Sequence, residues 1–130
     1  MKLPSLKSLK KKIDILRRDY IRKRDSKNGY GNCISCGIRK AVADLQVGHY
    51  YKRQHDFTTA LLTELRNVAL QCEQCNGYRH GNQTGFAIGL IKKYGDGILQ
   101  ELERKFRTPT YWGIISLKKV VEDYQLNKQQ

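Results

Sequence analysis

Four cysteines stand in two pairs, Cys33 with Cys36 and Cys72 with Cys75, and each pair has two residues between its members. This spacing lets each pair bind one tetrahedral zinc ion through two thiolates, so the two pairs together would saturate it. We expect zinc rather than disulfides, because the N-terminus lacks the apolar stretch of a signal peptide and indicates a reducing, cytoplasmic location. A zinc ion with four cysteine ligands has no open position, so we expect it to be structural.

Other polar side chains near the cysteines could carry chemistry. Histidine has an unperturbed pKa near neutral pH, so a neutral His49 could act as a general base on water. The side-chain oxygen of Asn76 could ligate a hard divalent cation, and His80 lies four residues further on the same helix face. Each residue also has a plain structural interpretation. His49 could simply bond a backbone carbonyl, Asn76 could bond at a helix start, and Asn67 could stabilise a turn.

The chain is strongly basic, with 25 lysines and arginines against 12 acidic residues and a formal charge of +13. Four thiolates on one zinc ion would lower this by two, to +11, which still favours a polyanionic partner and salt-dependent binding. No apolar run spans a bilayer, and we expect neither membrane binding nor a small-molecule substrate. The candidate phosphate contacts are Lys10, Lys11, Arg17, Arg18, Lys52, Arg53 and Arg79.

The 130 residues predict a single α+β domain in three parts. Residues 5–27 predict a basic amphipathic helix, whose apolar stripe could pack within the chain or form a dimer seam. Residues 33–82 predict a cysteine knuckle, a hairpin within 41–51, an irregular loop, and a short helix from near Cys72 to Gly81. This order of knuckle, hairpin and helix is that of a treble-clef zinc finger. Residues 84–126 predict further amphipathic helices.

Several segments in order resemble the NinG/Rap family of phage recombination nucleases, which belong to the HNH, or His-Me finger, superfamily. They are CISCG, LQVGHY, RNVALQCEQCN, the Gly81-Asn82 step and a helix ending KKYG. The similarity covers Cys33 to Tyr94, roughly half the chain. It implies a ββα-metal (HNH) finger on a treble-clef scaffold whose zinc has four cysteine ligands, flanked by N-terminal and C-terminal helices. It also implies metal-dependent cleavage of branched DNA, such as Holliday junctions and D-loops, in a host cytoplasm if the protein is phage-encoded.

The resemblance assigns roles by position. His49 matches the catalytic histidine, Asn67 the middle asparagine, and Asn76 the last residue of the HNH series, a metal-ligand position. The catalytic cation would be Mg²⁺ or Mn²⁺. Many HNH nucleases carry an aspartate directly before the histidine, where this chain and the family have glycine, here Gly48. The second protein ligand is therefore open among His49, His80, His55 and Asp44.

Two symmetric cuts at a four-way junction would need a homodimer, and we expect one. The main alternative is a zinc protein that binds nucleic acid without catalysis, which the charge and the cysteines fit equally well. Two others are an HNH nuclease of restriction or homing type and a structural role in a nucleoprotein particle. The HNH order of His49 and Asn76 favours the nuclease, because binding alone does not require it.

Overall fold

The computed structural model describes residues 2–128, which form helices around two small antiparallel sheets. The first sheet has the order β1-β2-β3 and the second pairs β4 with β5. The chain is therefore α+β, as predicted. The element bounds are α1 Leu6–Arg24, β1 Ser26–Lys27, β2 Tyr30–Asn32, β3 Arg39–Ala41, β4 Leu45–His49, β5 Val68–Cys72, α2 Gln83–Tyr94, α3 Ile98–Phe106 and α4 Ile114–Lys128.

Helix α1 begins where Ser5 caps it, with the Ser5 hydroxyl accepting the backbone N–H of Ser8 at 3.1 Å. The helix ends at Arg24, so the predicted extension to residue 27 is wrong. Ser26 and Lys27 instead pair with β2 across a tight Asn28-Gly29 turn, whose φ angles are +55° and +82°. Asn-Gly is the dipeptide that such a two-residue hairpin turn favours, and this local signal ends the helix.

The apolar stripe of α1 packs within the chain. Leu9 and Ile13 are buried against α4, where Leu117 and Val121 close the same cluster. Further along the helix, Ile21 is buried in a second cluster that includes strand residues and three of the four cysteines. Helix α1 therefore packs against both the C-terminal helix α4 and the β4–β5 sheet.

The hairpin predicted within residues 41–51 is wrong. Only β4 is extended over several residues there, and it pairs with β5 in a register that sets His49 opposite Val68 and Leu45 opposite Cys72. All five residues of β5 are buried. Pairing with this strand places Leu45 in the buried cluster that also contains Ile21 of α1, and a local hairpin would not bury it there. The two strands are joined by residues 50–67, mostly 3₁₀-helical turns.

The short helix predicted from Cys72 to Gly81 is also different in the structure. Cys72 ends β5, and the helical part is a single π-helical turn, Gln74–Tyr78. Helices α2 and α3 follow and bury Phe86, Leu90 and Leu102 against the sheet and the long loop. No helix within residues 2–128 is long and apolar enough to cross a membrane.

A buried carboxylate ties the long loop to α3. Glu64 accepts hydrogen bonds from Arg66 Nη2 at 2.6 Å and from Lys105 Nζ at 2.8 Å. Burial alone would raise the pKa of Glu64, but these two cations lower it to about 2. Glu64 is thus ionised in the folded protein at all but strongly acidic pH.

Candidate functional site

The four cysteine sulfurs lie together, each within 4.8 Å of the others. The Sγ atoms of Cys36 and Cys72 are 3.7 Å apart. Tetrahedral zinc with Zn–S bonds of about 2.3 Å places its sulfurs about 3.8 Å apart, so this spacing fits the ion. Cys33, Cys72 and Cys75 are buried, whereas Cys36 is exposed. The cluster predicted from the spacing is present and can hold a metal such as zinc.

Nitrogen donors surround these sulfurs. Asn82 Nδ2 lies 3.3 Å and Arg79 Nη1 3.9 Å from Cys75 Sγ. Burial opposes ionisation of the Cys33 thiol, yet hydrogen bonds from backbone N–H groups outweigh it and lower its pKa to about 7. Burial, by contrast, raises the pKa of Cys36 to about 12 and also raises the pKa of Cys75. Thiolates are the form that binds metal, so a bound cation would be what holds all four cysteines ionised. Arg79, predicted to contact DNA, lies against the cluster.

His49, Asn76 and His80 line one cleft of about 350 Å³, together with Lys52 and Arg53. His49 ends β4, while Asn76 and His80 come from the π-helical turn and the residues after it. The structure therefore brings together a potential base, two potential cation ligands and two cationic side chains.

The other two candidates for a cation ligand lie elsewhere. His55 packs its ring edge against Phe106, with the ring centroids 4.9 Å apart. Asp44 is exposed in the 3₁₀ turn before β4. Of the four residues left open by the sequence, His49 and His80 are those that share the cleft with Asn76.

Asn76 donates its amide N–H to Gln46 Oε1 at 2.7 Å, which fixes the π-helical turn to strand β4. This bond uses the nitrogen and leaves the amide oxygen for another partner, the atom that a hard cation would take. No pattern in the sequence indicates the contribution of Gln46, since its pairing with Asn76 depends on how β4 meets the turn.

Asn67 is fully buried and braces the chain just after His49. Its Oδ1 accepts the backbone N–H of Tyr51 at 2.9 Å, and its Nδ2 donates to the Tyr51 carbonyl at 3.1 Å. The backbone carbonyl of Asn67 accepts the N–H of Tyr50 at 2.8 Å. Asn67 therefore fixes the backbone that follows His49.

Gly48 has a steric reason to be glycine. A Cβ atom there would lie 1.9 Å from Oε1 and 2.7 Å from Cδ of Gln71. The Gln71 side chain is held in place, because its Nε2 donates to Ser35 Oγ at 2.8 Å and to the Gly81 carbonyl at 2.7 Å. An aspartate at position 48 has no room unless Gln71 moves.

Arg17 was predicted to contact DNA, and the structure shows that this is wrong. Its side chain is 3% exposed and lies between two carboxylates, with Nη2 2.9 Å from Asp14 Oδ1 and Nη1 2.9 Å from Asp56 Oδ2. The sequence does indicate this burial. Arg17 is four residues from both Ile13 and Ile21, so it lies on the same buried face of α1.

Asp56 is the residue near His49 that sequence patterns do not reveal. It is completely buried, and its Oδ2 lies 3.4 Å from His49 Nε2. The approach joins residues from β4 and from the 3₁₀ segment Arg53–Thr58, and the same Asp56 oxygen meets the buried guanidinium of Arg17. A histidine with a buried carboxylate beside one nitrogen is an arrangement that orients the ring.

A second furrow of about 370 Å³ meets the cleft at His49 and Arg53 and runs along α1. Arg53 is paired with Asp14 there, through Nε to Oδ1 at 3.1 Å and through a second, shorter contact. Lys10 lies apart, over the ring of Phe57. The basic side chains of the furrow that are not buried are Lys11, Arg18, Arg22 and Arg53.

A larger cavity, of about 530 Å³, lies between α1 and α4 and is lined by Leu16, Tyr20 and Tyr124 together with four polar or charged residues, Asp19, Lys23, Arg24 and Asn127. Its walls are mostly apolar and, among the described residues, it includes neither a cysteine nor a histidine. The chemistry-bearing groups therefore converge on the smaller cleft at His49.

The sequence matches the family model described as "Bacteriophage Lambda NinG protein" over residues 1–130. Protein ninG of Escherichia phage lambda is 32% identical over 97 residues, which cover 72% of this chain and 44% of that protein. Protein ninG of Salmonella phage P22 is 31% identical over the same length and coverage. The chain thus spans less than half the length of these curated relatives. No solved structure matches it.

Proposed function

The chain belongs to the bacteriophage NinG family, and from this premise and the His49 cleft we propose that it is a metal-dependent HNH endonuclease acting on branched DNA. The observation that carries the proposal is the convergence of His49, Asn76 and His80 beside Lys52 and Arg53. A base, ligands for a cation and cationic phosphate contacts are what phosphodiester hydrolysis requires.

The order of elements supports the same proposal. Two antiparallel strands, β4 and β5, lead into a helical turn, and the four cysteines anchor this turn. A ββα-metal finger on a treble-clef zinc scaffold has this order, with the base on the first strand and the cation ligand on the helix. Zinc held by four cysteines would be structural, because it keeps no open position.

In the proposed reaction, the imidazole of His49 takes a proton from a water molecule in the cleft as the water oxygen attacks phosphorus. The P–O3′ bond breaks, and the leaving 3′ oxygen takes a proton from solvent. The oxygen of Asn76 and a ring nitrogen of His80 would hold Mg²⁺ or Mn²⁺, and the amide oxygen is the donor of the two that these hard cations prefer. Such a cation would supply charge stabilisation to the phosphate and to the leaving oxygen.

The DNA arms would lie along the cleft and along the furrow that meets it at His49. Lys52 and Arg53 flank the cleft, and Lys11 and Arg18 extend the cationic surface along α1. With a formal charge of +13, binding should weaken steeply as salt is added. Because resolving a junction takes two symmetric cuts, we propose that the active form is a homodimer.

One observation favours the non-catalytic alternative, a zinc protein that binds nucleic acid. Among the described residues that line the cleft there is no carboxylate, the side chain that most often ligates Mg²⁺ in nucleases. This alternative predicts DNA binding without any cleavage.

The test is a cleavage assay on labelled four-way junction, D-loop and linear duplex of matched sequence, each with Mg²⁺, Mn²⁺ or EDTA. Wild-type protein is compared with His49→Ala and with the matched control His55→Ala, which removes a histidine outside the cleft. Metal-dependent cutting of branched DNA that is lost only in His49→Ala supports the nuclease. Tight binding with no cutting under either metal would support the binding module instead.

A further inference from the structure

We infer that Asp56 is a positioning residue for His49: it holds the Nε2–H of the ring and thereby leaves Nδ1 as the nitrogen that takes the proton. The inference rests on the proposed role of His49 as the base. The inference adds Asp56, which lies outside the cleft, and identifies Nδ1 as the ring atom that takes the proton.

The burial of the two ring nitrogens differs. Nε2 of His49 is buried and lies 3.4 Å from Asp56 Oδ2, whereas the side chain as a whole is 13% exposed. Water in the cleft cannot reach a buried nitrogen. The ring nitrogen left to accept a proton from that water is Nδ1.

The chemistry of a carboxylate determines which nitrogen carries the hydrogen. An ionised carboxylate only accepts hydrogen bonds, so Nε2 must be the donor. A neutral imidazole has one N–H, and placing it on Nε2 leaves the lone pair on Nδ1. The contact lacks full hydrogen-bond geometry within the described structure, as is common for catalytic pairs before substrate binds.

Arg17 supplies the charge that lets Asp56 remain a buried carboxylate. Its Nη1 lies 2.9 Å from Asp56 Oδ2, and Asp14 holds the other end of the guanidinium. A buried carboxylate without such a partner would be strongly destabilising. Arg17 and Asp56 therefore form a buried ion pair behind the ring, although their contact, like that of Asp56 with His49, lacks full hydrogen-bond geometry.

Arg17 also determines what each variant would do. The same Asp56 oxygen faces both Arg17 Nη1 and His49 Nε2, and both groups donate. In Asp56→Asn the amide oxygen therefore takes that position, and Nε2–H keeps its acceptor. In Asp56→Ala the acceptor is removed and the cationic guanidinium of Arg17 is left behind the ring, which disfavours a hydrogen on Nε2. The ring hydrogen then moves to Nδ1, and the base loses its lone pair on the cleft side.

The experiment measures the ring tautomer directly in the full chain with zinc bound. Long-range ¹H–¹⁵N NMR spectra of ¹⁵N-histidine protein are recorded for wild type, His49→Ala as the assignment control, Asp56→Ala, the conservative Asp56→Asn, and the matched control Asp96→Ala. Asp96 is exposed between α2 and α3. We expect the Nε2–H form in wild type, Asp56→Asn and Asp96→Ala, and the Nδ1–H form in Asp56→Ala. Zinc content and thermal melting confirm that each variant is folded.

The same proteins are compared for single-turnover cleavage, where we expect Asp56→Ala to be slower by roughly 10²–10⁴-fold with little change in DNA affinity, and Asp56→Asn to lie between it and wild type. A wild-type ring in the Nδ1–H form overturns the inference, and this result counts even if the variant fails to fold. So does an unchanged tautomer in folded Asp56→Ala. A tautomer switch in a protein that cuts no DNA under any metal would uphold the positioning and reject the nuclease.

Discussion

Replacing Gly48 with alanine should destabilise the protein, although the change adds a single methyl group. The new Cβ would lie 1.9 Å from Gln71 Oε1 and 2.7 Å from Cδ, so the whole buried amide must move. Moving it breaks the two hydrogen bonds to Ser35 and Gly81, which contribute about 0.5–1.5 kcal/mol each. Overpacking adds about 1–3 kcal/mol. The expected loss in the free energy of unfolding is about 2–6 kcal/mol.

The assay is urea unfolding of the zinc-loaded protein, followed by far-UV circular dichroism. Gly97→Ala is the matched control, because a Cβ there meets no atom within 4 Å and its φ is −84°. We expect this control to lie within about 0.5 kcal/mol of wild type.

The double variant Gly48→Ala, Gln71→Ala tests the cause. If the clash with Gln71 is the reason, the double variant should be no less stable than Gln71→Ala alone, since the alanine at 71 leaves room for the methyl group. A Gly48→Ala protein as stable as wild type, or costs of the two single changes that simply add, would refute the steric explanation of this glycine.

Three further outcomes are expected. Because the pKa of Glu64 is lowered from 4.5 to about 2, its carboxylate contributes about 3 kcal/mol above pH 4.5, and this is lost as pH falls toward 2. Melting temperatures from pH 6 to pH 2.5 should therefore converge for wild type and Glu64→Gln, and parallel curves would contradict the ion-pair account. Arg18→Ala should weaken junction binding in EDTA and lower the salt slope by about one, while Arg104→Ala on α3 should not; equal effects would remove the furrow as the binding surface. Cys75→Ser should abolish binding of one zinc per chain, measured by elemental analysis, and unfold the β4–β5 region in circular dichroism; retained zinc would exclude this cysteine as a ligand.

Local spacing was enough to predict several parts of the candidate site. The two cysteine pairs indicated one cluster, and the structure has it. The spacing of Asn76 and His80 predicted that both lie on one helix face; both do line the cleft, although His80 lies beyond the π-helical turn that carries Asn76. Such inferences succeed because ligands two to four residues apart are held together by the local backbone, whatever the rest of the fold does. The α1 stripe and the Asn28-Gly29 turn are signals of the same short range.

Long-range packing decided the rest. Strand β4 pairs with a strand that starts 19 residues after it ends, and no local pattern within residues 41–51 indicates this partner. Arg17 is of a residue type that often contacts phosphate, yet it lies on the buried face of α1 and neutralises Asp56. Asp56 lies seven residues from His49 in an irregular loop. Its approach to the ring depends on helix α1, whose Arg17 contacts Asp56.

The sequence by itself determined which residue types are available to bind metal and to exchange protons, and its charge of +13 led us to expect an anionic partner. Only the tertiary structure decided which of the charged side chains face water and which face one another. The physical reason is that burying a charge requires a partner of opposite sign, and that partner can come from anywhere in the chain. Residue type therefore identifies the possible chemistry of His49, while the packing of Arg17 and Asp56 determines the orientation in which its ring is held.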